Sequence, residues 1–158
     1  MSGLSTRPRP LDDQEFSELV RLGPLVAIDL IICDPKNYVL VALRNNEPAK
    51  GFFFVPGGCI RKGETIKDAF TAILRDETGC QAEFSQAQFL NVNEHIYSNS
   101  RWGRMGYGTH YVVLAYRLQL DHRPTITLDD QHSAIKWLTP TELVALDDVH
   151  PFTKRYFL

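Results

Sequence analysis

The sequence predicts an α+β sandwich in which a mixed β-sheet lies between helices. Long apolar runs typical of buried strands occur on both sides of one amphipathic helical segment at 64–78. Short helical segments are predicted before the first strand and after the last one. This order of elements is typical of helices packed against a mixed sheet.

The first predicted elements are a helix and a β-hairpin. An aspartate at position 12 or 13 can cap a short helix that continues to about residue 20. Two apolar runs follow, Leu25 to Cys33 and Tyr38 to Leu43, separated by the turn-forming residues Asp-Pro-Lys-Asn. We therefore expect two antiparallel strands after the helix.

The remaining strands are predicted from further apolar runs. Phe52 to Val55 is a short strand that delivers the chain into a Pro-Gly-Gly loop. After the central helix, strands are expected at Phe89 to Tyr97, His110 to Leu118 and Ala134 to Leu138. Thr139-Pro140-Thr141-Glu142 is typical of a helix start with Pro early in it.

The central helix carries the most informative polar residues. Its apolar side chains recur at helical spacing, and Gly79 can end it in a left-handed conformation. Ile73, Asp76 and Glu77 are three and four positions apart, so they share one edge. Two adjacent acids on a helix are either a solvated pair or ligands for one Mg²⁺ ion. The Gly57-Gly58 loop at a fixed distance favours metal binding.

Length and composition indicate one domain. The chain has 158 residues, of which 44% are hydrophobic, enough for one core and too few to favour two. We expect a flexible Pro-rich lead-in at 1–10 and a single domain at 11–158. No apolar run reaches transmembrane length and no signal-peptide core is present, so the cytoplasm is the expected location.

Charge and cysteine content exclude several classes of function. The formal net charge of −2 gives no general attraction to nucleic acid or membranes, so neither is expected as a partner. A phosphate-bearing ligand must then be held locally, by a metal and a few Arg or Lys side chains. Cys33, Cys59 and Cys80 are an odd, unpatterned set, which argues against a disulfide framework or a zinc site.

The glycines and acids around the central helix resemble the Nudix hydrolase box. That pattern is Gly, five residues, Glu, seven residues, Arg-Glu, two residues, Glu-Glu, one residue, Gly. The corresponding positions here hold Gly58, Glu64, Ala72, Ile73, Asp76, Glu77 and Gly79. The Arg and the first Glu of the helical cluster are therefore replaced.

Longer segments resemble one branch of that family, the GDP-mannose mannosyl hydrolases. They are PLVAIDLII, EPAKGFFFVPGG, THYVVLAYR, DDQH and VHPFTKRYFL. The resemblance implies a Nudix-like α/β/α sandwich, a homodimer and hydrolysis of GDP-mannose, or of GDP-glucose, to GDP and free sugar. Water would attack the anomeric carbon with inversion. This branch also lacks the first Glu of the helical cluster.

The same resemblance implies the metal ligands and the general base. Mg²⁺, with Mn²⁺ as an alternative, would be held by the Gly57 carbonyl, the Glu77 carboxylate and the Gln131 amide. These are oxygen ligands that suit a hard cation. His132 would take the proton from water, a role for which imidazole is suited near neutral pH. Asp76 would either help the metal through a water or face solvent.

Further roles are implied for residues on the strands. Arg44 can present two donors to a departing diphosphate, and Tyr111 would either donate to it or pack in the core. Asp29 lies inside an apolar run, where a carboxylate needs a partner or a function, and it would contact the sugar. His95 and Tyr97 share one strand face and would either line the sugar pocket or pack.

Base recognition falls to the N-terminal segment. Leu11 and Phe16 match positions that contact the nucleotide base, and Phe16 would either stack on it or form the apolar face of the first helix. Cys59 stands where the branch carries an Arg, and Arg61 or Lys62 is a candidate to replace that charge. Ala72 leaves Glu64 without the box Arg, so Glu64 is either structural or solvated.

Two other functions remain open from the sequence. A nucleoside-diphosphate-sugar pyrophosphatase would cleave the P–O–P link, but it favours a richer carboxylate cluster. A non-catalytic nucleotide-sugar binding module would follow from the changes at Cys59 and Ala72. The joint presence of Glu77, Gln131 and His132 argues against the second alternative.

Overall fold

The computed structural model describes residues 7–103, 106–128 and 132–158. Within these ranges, seven strands form one mixed sheet with the order β3-β2-β1-β6-β5, while β4 also pairs with β1 and β7 with β2. The strands are β1 Leu25–Cys33, β2 Val39–Arg44, β3 Phe53–Phe54, β4 Gly57–Cys59, β5 Ala87–Tyr97, β6 Thr109–Gln119 and β7 His132–Leu138. The helices are α1 Asp13–Leu22, α2 Ile66–Thr78, α3 Pro140–Ala145 and α4 Pro151–Lys154.

The apolar side chains form two cores, one on each face of the sheet. The apolar stripe of α2, with Phe70, Ile73 and Leu74, packs against one face. Residues around Val41 and Leu143 pack on the other face, beneath α3 and the C-terminal segment. The sheet is therefore covered by helices on both sides, which confirms the predicted α+β sandwich.

The predicted hairpin is wrong beyond its turn. β1 and β2 are paired only at Cys33 and Val39, where Asp34 accepts backbone hydrogen bonds within the turn. β1 then pairs with β4, and β2 pairs with β3 and β7. The two strands diverge because the rest of this edge of β1 is occupied by the segment around β4. The segment that carries β3 and β4 therefore lies between β1 and β2.

The predicted Gly-Gly loop is also wrong, because Gly57 and Gly58 lie in strand β4. Gly57 is opposite Asp29 on β1. A Cβ atom at Gly57 would lie 2.5 Å from Asp29 Oδ1 and 2.6 Å from the Ile28 carbonyl. Only glycine permits this close approach of the two backbones. Gly57 and Asp29 both line the cleft of the candidate active site.

The helix ends agree in part with the sequence patterns. Asp12 caps α1 and Thr139 caps α3, as the sequence indicates. Gly79 ends α2 with a φ of 75°, as predicted. However, α2 begins after Thr65, whose side chain accepts from the Asp68 amide, so Glu64 lies outside the helix. Among the described residues, no helix is long and apolar enough to cross a membrane.

Candidate active site

One cleft of about 860 Å³ brings together residues that are distant in sequence. Every predicted site residue that the structure describes lines it: Leu11, Phe16, Asp29, Arg44, Gly57, Glu77, His95, Tyr97, Tyr111 and His132. Gln131 lies outside the described residues. The structure thus gathers the candidates, and their individual roles remain predictions.

The cleft has more basic than acidic side chains, although the chain has a net charge of −2. Six Arg and Lys side chains from the described residues line it, against three Asp and Glu side chains. The basic ones are Arg7, Arg9, Arg44, Arg61, Lys62 and Arg101, and the acidic ones are Asp29, Glu47 and Glu77. Arg7 pairs with Glu64 and Asp76, and Arg9 pairs with Glu15. The cations that favour a phosphate-bearing ligand are therefore Arg44, Arg61, Lys62 and Arg101.

Glu77 and His132 meet at one end of the cleft. His132 Nδ1 lies 3.6 Å from Glu77 Oε2, and the side chains are 9% and 13% exposed. A register shift between β2 and β7 places His132 opposite Arg44. The candidate general base is therefore adjacent to the candidate metal carboxylate, and its backbone lies opposite that of Arg44.

The donors at this end fit one hard cation. Within 7–103, 106–128 and 132–158, no group of three or more His, Cys, Asp or Glu residues is arranged to hold a metal. Glu77 is a mostly buried carboxylate, and the backbone of Gly57 lines the same cleft. Mg²⁺ keeps several waters and commonly takes one or two protein carboxylates, so this sparse oxygen set suits it. Asp76 instead pairs with Arg7 and Arg75.

Asp29 has a partner that the sequence patterns did not identify. The Tyr156 hydroxyl donates to Asp29 Oδ2 at 2.6 Å. Burial raises the pKa of Asp29 to about 6, although the Tyr156 hydrogen bond and the Arg44 charge act in the opposite direction. Tyr156 lies 127 positions from Asp29, in the segment VHPFTKRYFL, and no local pattern pairs the two residues, so only the fold reveals the contact.

An aromatic wall stands beside Asp29. The His95 ring stacks on Phe152 at 4.5 Å with an interplanar angle of 12°. Burial lowers the pKa of His95 to about 4, with the charges of Arg155 and His150 adding to the effect. Tyr97 meets Tyr111 edge to face at 6.2 Å. A neutral imidazole between aromatic rings can pack against the apolar face of a sugar ring, whereas a charged imidazole would be less suited to that contact.

A second aromatic pair also lines the cleft. Phe16 on α1 lies 5.6 Å from Trp102, and both line the cleft with Leu11. Phe16 is therefore at the cleft as well as on the first helix. Sequence reasoning missed Trp102 and its neighbour Arg101. An aromatic next to an Arg in a polar, Gly-containing loop was the available signal.

The replacements of arginine at Cys59 and at Ala72 have different consequences. Burial raises the pKa of the Cys59 thiol to about 11, so this side chain stays neutral and supplies no charge. Glu64 is not solvated, because Arg7 binds it through two hydrogen bonds of 2.8 and 2.9 Å. Arg7 was not identified as a site residue from the sequence, because it lies in the Pro-rich lead-in.

Comparison with known proteins supports the same family. The NUDIX domain model matches residues 23–158. The low-salt glycan biosynthesis protein Agl8 of Haloferax volcanii is 34% identical over 146 residues, which are 92% of this chain and 88% of that protein. An ADP-ribose pyrophosphatase of Methanocaldococcus jannaschii is 43% identical over 58 residues, or 37% of this chain and 34% of that protein.

A solved structure has the same fold. A MutT Nudix hydrolase from Burkholderia pseudomallei superposes with a TM-score of 0.69 at 22% identity, covering 85% of this chain and 96% of that one. The family match spans all seven strands and the cleft residues from Asp29 onwards. The chain therefore belongs to the Nudix family, as a hydrolase of nucleoside diphosphate derivatives.

Proposed function

We propose that the chain hydrolyses GDP-mannose, and GDP-glucose as a second substrate, to GDP and free sugar, with Mg²⁺ as cofactor. The observation that carries this proposal is that His132 lies 3.6 Å from Glu77 and opposite Arg44 on the neighbouring strand, in a cleft that Asp29 also lines. A base can activate water, and a metal-binding carboxylate and an Arg can stabilise a departing diphosphate, which is sufficient for attack at carbon. The sparse carboxylates fit a reaction that needs one metal at the leaving group.

In this reaction, His132 takes a proton from water as the water oxygen bonds to the anomeric carbon. The bond between that carbon and the β-phosphate oxygen breaks, and GDP leaves with the electron pair. A positioned general base of this kind typically contributes about 10² to 10⁴ in rate. Inversion follows because water and GDP occupy opposite faces of the sugar ring.

Arg44 and Tyr111 would stabilise the departing diphosphate. The Arg44 guanidinium can give two parallel hydrogen bonds to phosphate oxygens, and Tyr111 can donate a third. Gly57, Glu77 and Gln131 would hold the Mg²⁺, which supplies Lewis-acid stabilisation of the diphosphate charge. Mn²⁺ would serve as an alternative ion.

The side chains that line the cleft suggest where the sugar and the base of the substrate would bind. Asp29 and His95, with Tyr97 nearby, form a polar and aromatic corner for the sugar hydroxyls and ring. Phe16 and Leu11 would contact the base, and an aromatic face supports stacking. The name of the Haloferax relative refers to glycan biosynthesis, which supports a sugar nucleotide as the substrate class.

Location, assembly and domain limits are part of the proposal. We place the protein in the cytoplasm, where nucleotide sugars are available, and expect a homodimer with no nucleic acid or membrane partner. The catalytic domain is proposed to span residues 11–158. The family match to residues 23–158 supports the greater part of that range.

The main alternative is cleavage of the P–O–P link. The similarity of a 58-residue segment to an ADP-ribose pyrophosphatase favours it as the second candidate. A non-catalytic binding module is the third. Each alternative predicts different products from the same substrate.

Incubation of GDP-mannose and Mg²⁺ with the protein in ¹⁸O-labelled water tests the three functions. We expect label in mannose, unlabelled GDP by phosphorus NMR, and the inverted anomer as first product. Label in GMP or mannose 1-phosphate would replace the proposal with the pyrophosphatase. No turnover, with binding retained by both wild type and His132→Gln, would indicate a binding module.

A further inference from the structure

The N-terminal arm, residues 7–10, is fixed to the cleft by its first side chain. Arg7 Nε and Nη2 donate to the two oxygens of Glu64, at 2.8 and 2.9 Å. Arg7 Nη2 also donates to the Cys59 carbonyl at 3.2 Å, and Nη1 donates to Asp76 Oδ2 at 3.3 Å. One guanidinium therefore joins β4, the segment before α2 and the last turns of α2.

The Arg7–Glu64 pair is largely removed from water. The side chains are 12% and 2% exposed. Burial by itself would raise the pKa of Glu64, but hydrogen bonds from Arg7 and the Arg61 amide and the Arg7 charge hold it below its usual value. Removing one partner from such a pair leaves an uncompensated charge.

The arm has a second attachment. Arg61 Nη1 donates to the Pro8 carbonyl at 2.9 Å, and the Arg61 amide donates to Glu64 Oε1 at 2.7 Å. Arg61 thus holds the arm and Glu64 from the loop that connects β4 to α2. Its guanidinium is engaged with the arm, and Arg7 is the cation that reaches Glu64.

The contacts of Arg7 lie next to two of the three candidate metal ligands, Gly57 and Glu77. Cys59 is the last residue of β4, the three-residue strand that begins with Gly57. Asp76 directly precedes Glu77 on α2. We propose that Arg7 is a positioning residue that sets the distance between Gly57 and Glu77 and so adjusts the affinity for the divalent cation. This inference rests on the proposed metal site.

The test is Mn²⁺ binding without substrate, measured from the electron paramagnetic resonance signal of free Mn²⁺. For Arg7→Ala we expect a Kd increased by about 10-fold or more, because groups that orient metal ligands typically change affinity by about 10- to 100-fold. Arg123→Ala is the matched control, since Arg123 also binds a buried carboxylate, that of Asp34, but at a position that does not line the cleft. Its Kd should equal that of the wild type.

A relocated guanidinium distinguishes positioning from a general loss of stability. Ala72 lies one helical turn before Asp76, on the edge of α2 that Arg7 contacts. Arg7→Ala combined with Ala72→Arg should recover most of the Mn²⁺ affinity. Arg7→Lys keeps the charge without the paired donors, and it should show an intermediate Kd and remain testable if Arg7→Ala does not fold.

The outcomes separate this inference from the proposed function. An unchanged Kd in folded Arg7→Ala, or in Arg7→Lys if only that variant folds, would overturn the role of Arg7 alone. Weaker binding in Arg7→Ala that Ala72→Arg does not restore would also overturn positioning by a guanidinium. Absence of Mn²⁺ binding in the wild type would overturn the metal site and, with it, both proposals.

Discussion

The buried His95 should make the stability of the protein depend on pH. Its pKa is lowered from 6.5 to about 4, first by burial and then by the charges of Arg155 and His150. Above pH 6.5 the imidazole is neutral in both the folded and unfolded states. As the pH falls from 6.5 towards 4, the unfolded chain binds a proton at His95 and the folded chain does not. The free energy of unfolding must therefore decrease across that window.

The magnitude follows from the difference between the two pKa values. One pH unit corresponds to about 1.4 kcal/mol, so the full effect of His95 is about 3 kcal/mol. When the pH is lowered from about 7 to about 4.5, His95 should decrease the free energy of unfolding by about 2 kcal/mol. His95→Gln removes the titrating group, and its lost stacking on Phe152 lowers stability at every pH without adding pH dependence.

Urea unfolding of wild type and His95→Gln at both pH values measures the effect. Between the two pH values, the free energy of unfolding of the wild type should decrease by about 2 kcal/mol more than that of the variant. The carboxylates are common to both proteins, so the difference reports on His95. Equal losses would refute the reasoning, since they would mean that His95 titrates at the same pH in the folded and unfolded states. His150, whose pKa is also lowered to about 4, remains in both proteins and cancels in the comparison.

Three further changes probe the cleft. His132→Gln should reduce turnover by about 10² to 10⁴ while GDP-mannose binding by calorimetry is retained; loss of binding instead would assign His132 to the substrate contacts. Asp29→Asn should raise the melting temperature of the metal-free protein near pH 7, because burial raises the pKa of Asp29 and disfavours its charged form there. The same variant should lower turnover, because Asp29 is the proposed contact to the sugar. A lower melting temperature would contradict the first expectation. Gly57→Ala should lower the free energy of unfolding by about 1 to 3 kcal/mol, since its Cβ meets backbone at 2.6 Å. Gly58→Ala is its control, because that Cβ meets only the Ile73 side chain at 3.3 Å, and equal losses in the two variants would contradict the close approach.

Local patterns in the sequence are sufficient for most elements of this fold. The helical spacing around Phe70 and the left-handed Gly79 follow from rules that act within a few residues. The pairing partners of β1 do not follow from such rules. The turn at Asp34 brings β2 back beside β1, but tertiary contacts give most of that edge of β1 to the segment around β4. Strand existence is thus predictable here, and strand pairing is not.

In the site as well, residues within recognisable segments could be identified from the sequence, whereas contacts between distant segments could not. Glu77 and His132 were identified because each is embedded in a recognisable segment, and the structure places them 3.6 Å apart. Tyr156 lies in a recognisable segment that does not specify its partner, and Trp102 lies in a segment whose residue types are compatible with ordinary packing. Their proximity to Asp29 and Phe16 depends on the fold, which no local pattern encodes.

Arg7 shows why the missing arginines at positions 59 and 72 do not imply a missing charge. A buried carboxylate such as Glu64 requires a cation, but electrostatics does not specify from which segment it comes. Here the cation is supplied from 57 positions away, and its guanidinium also reaches the Cys59 carbonyl. A neutral thiol at position 59 adds no second positive charge beside Arg7. The replacements at 59 and 72 and the presence of Arg7 are therefore mutually consistent, and a motif comparison that scores each position separately would count them as independent defects.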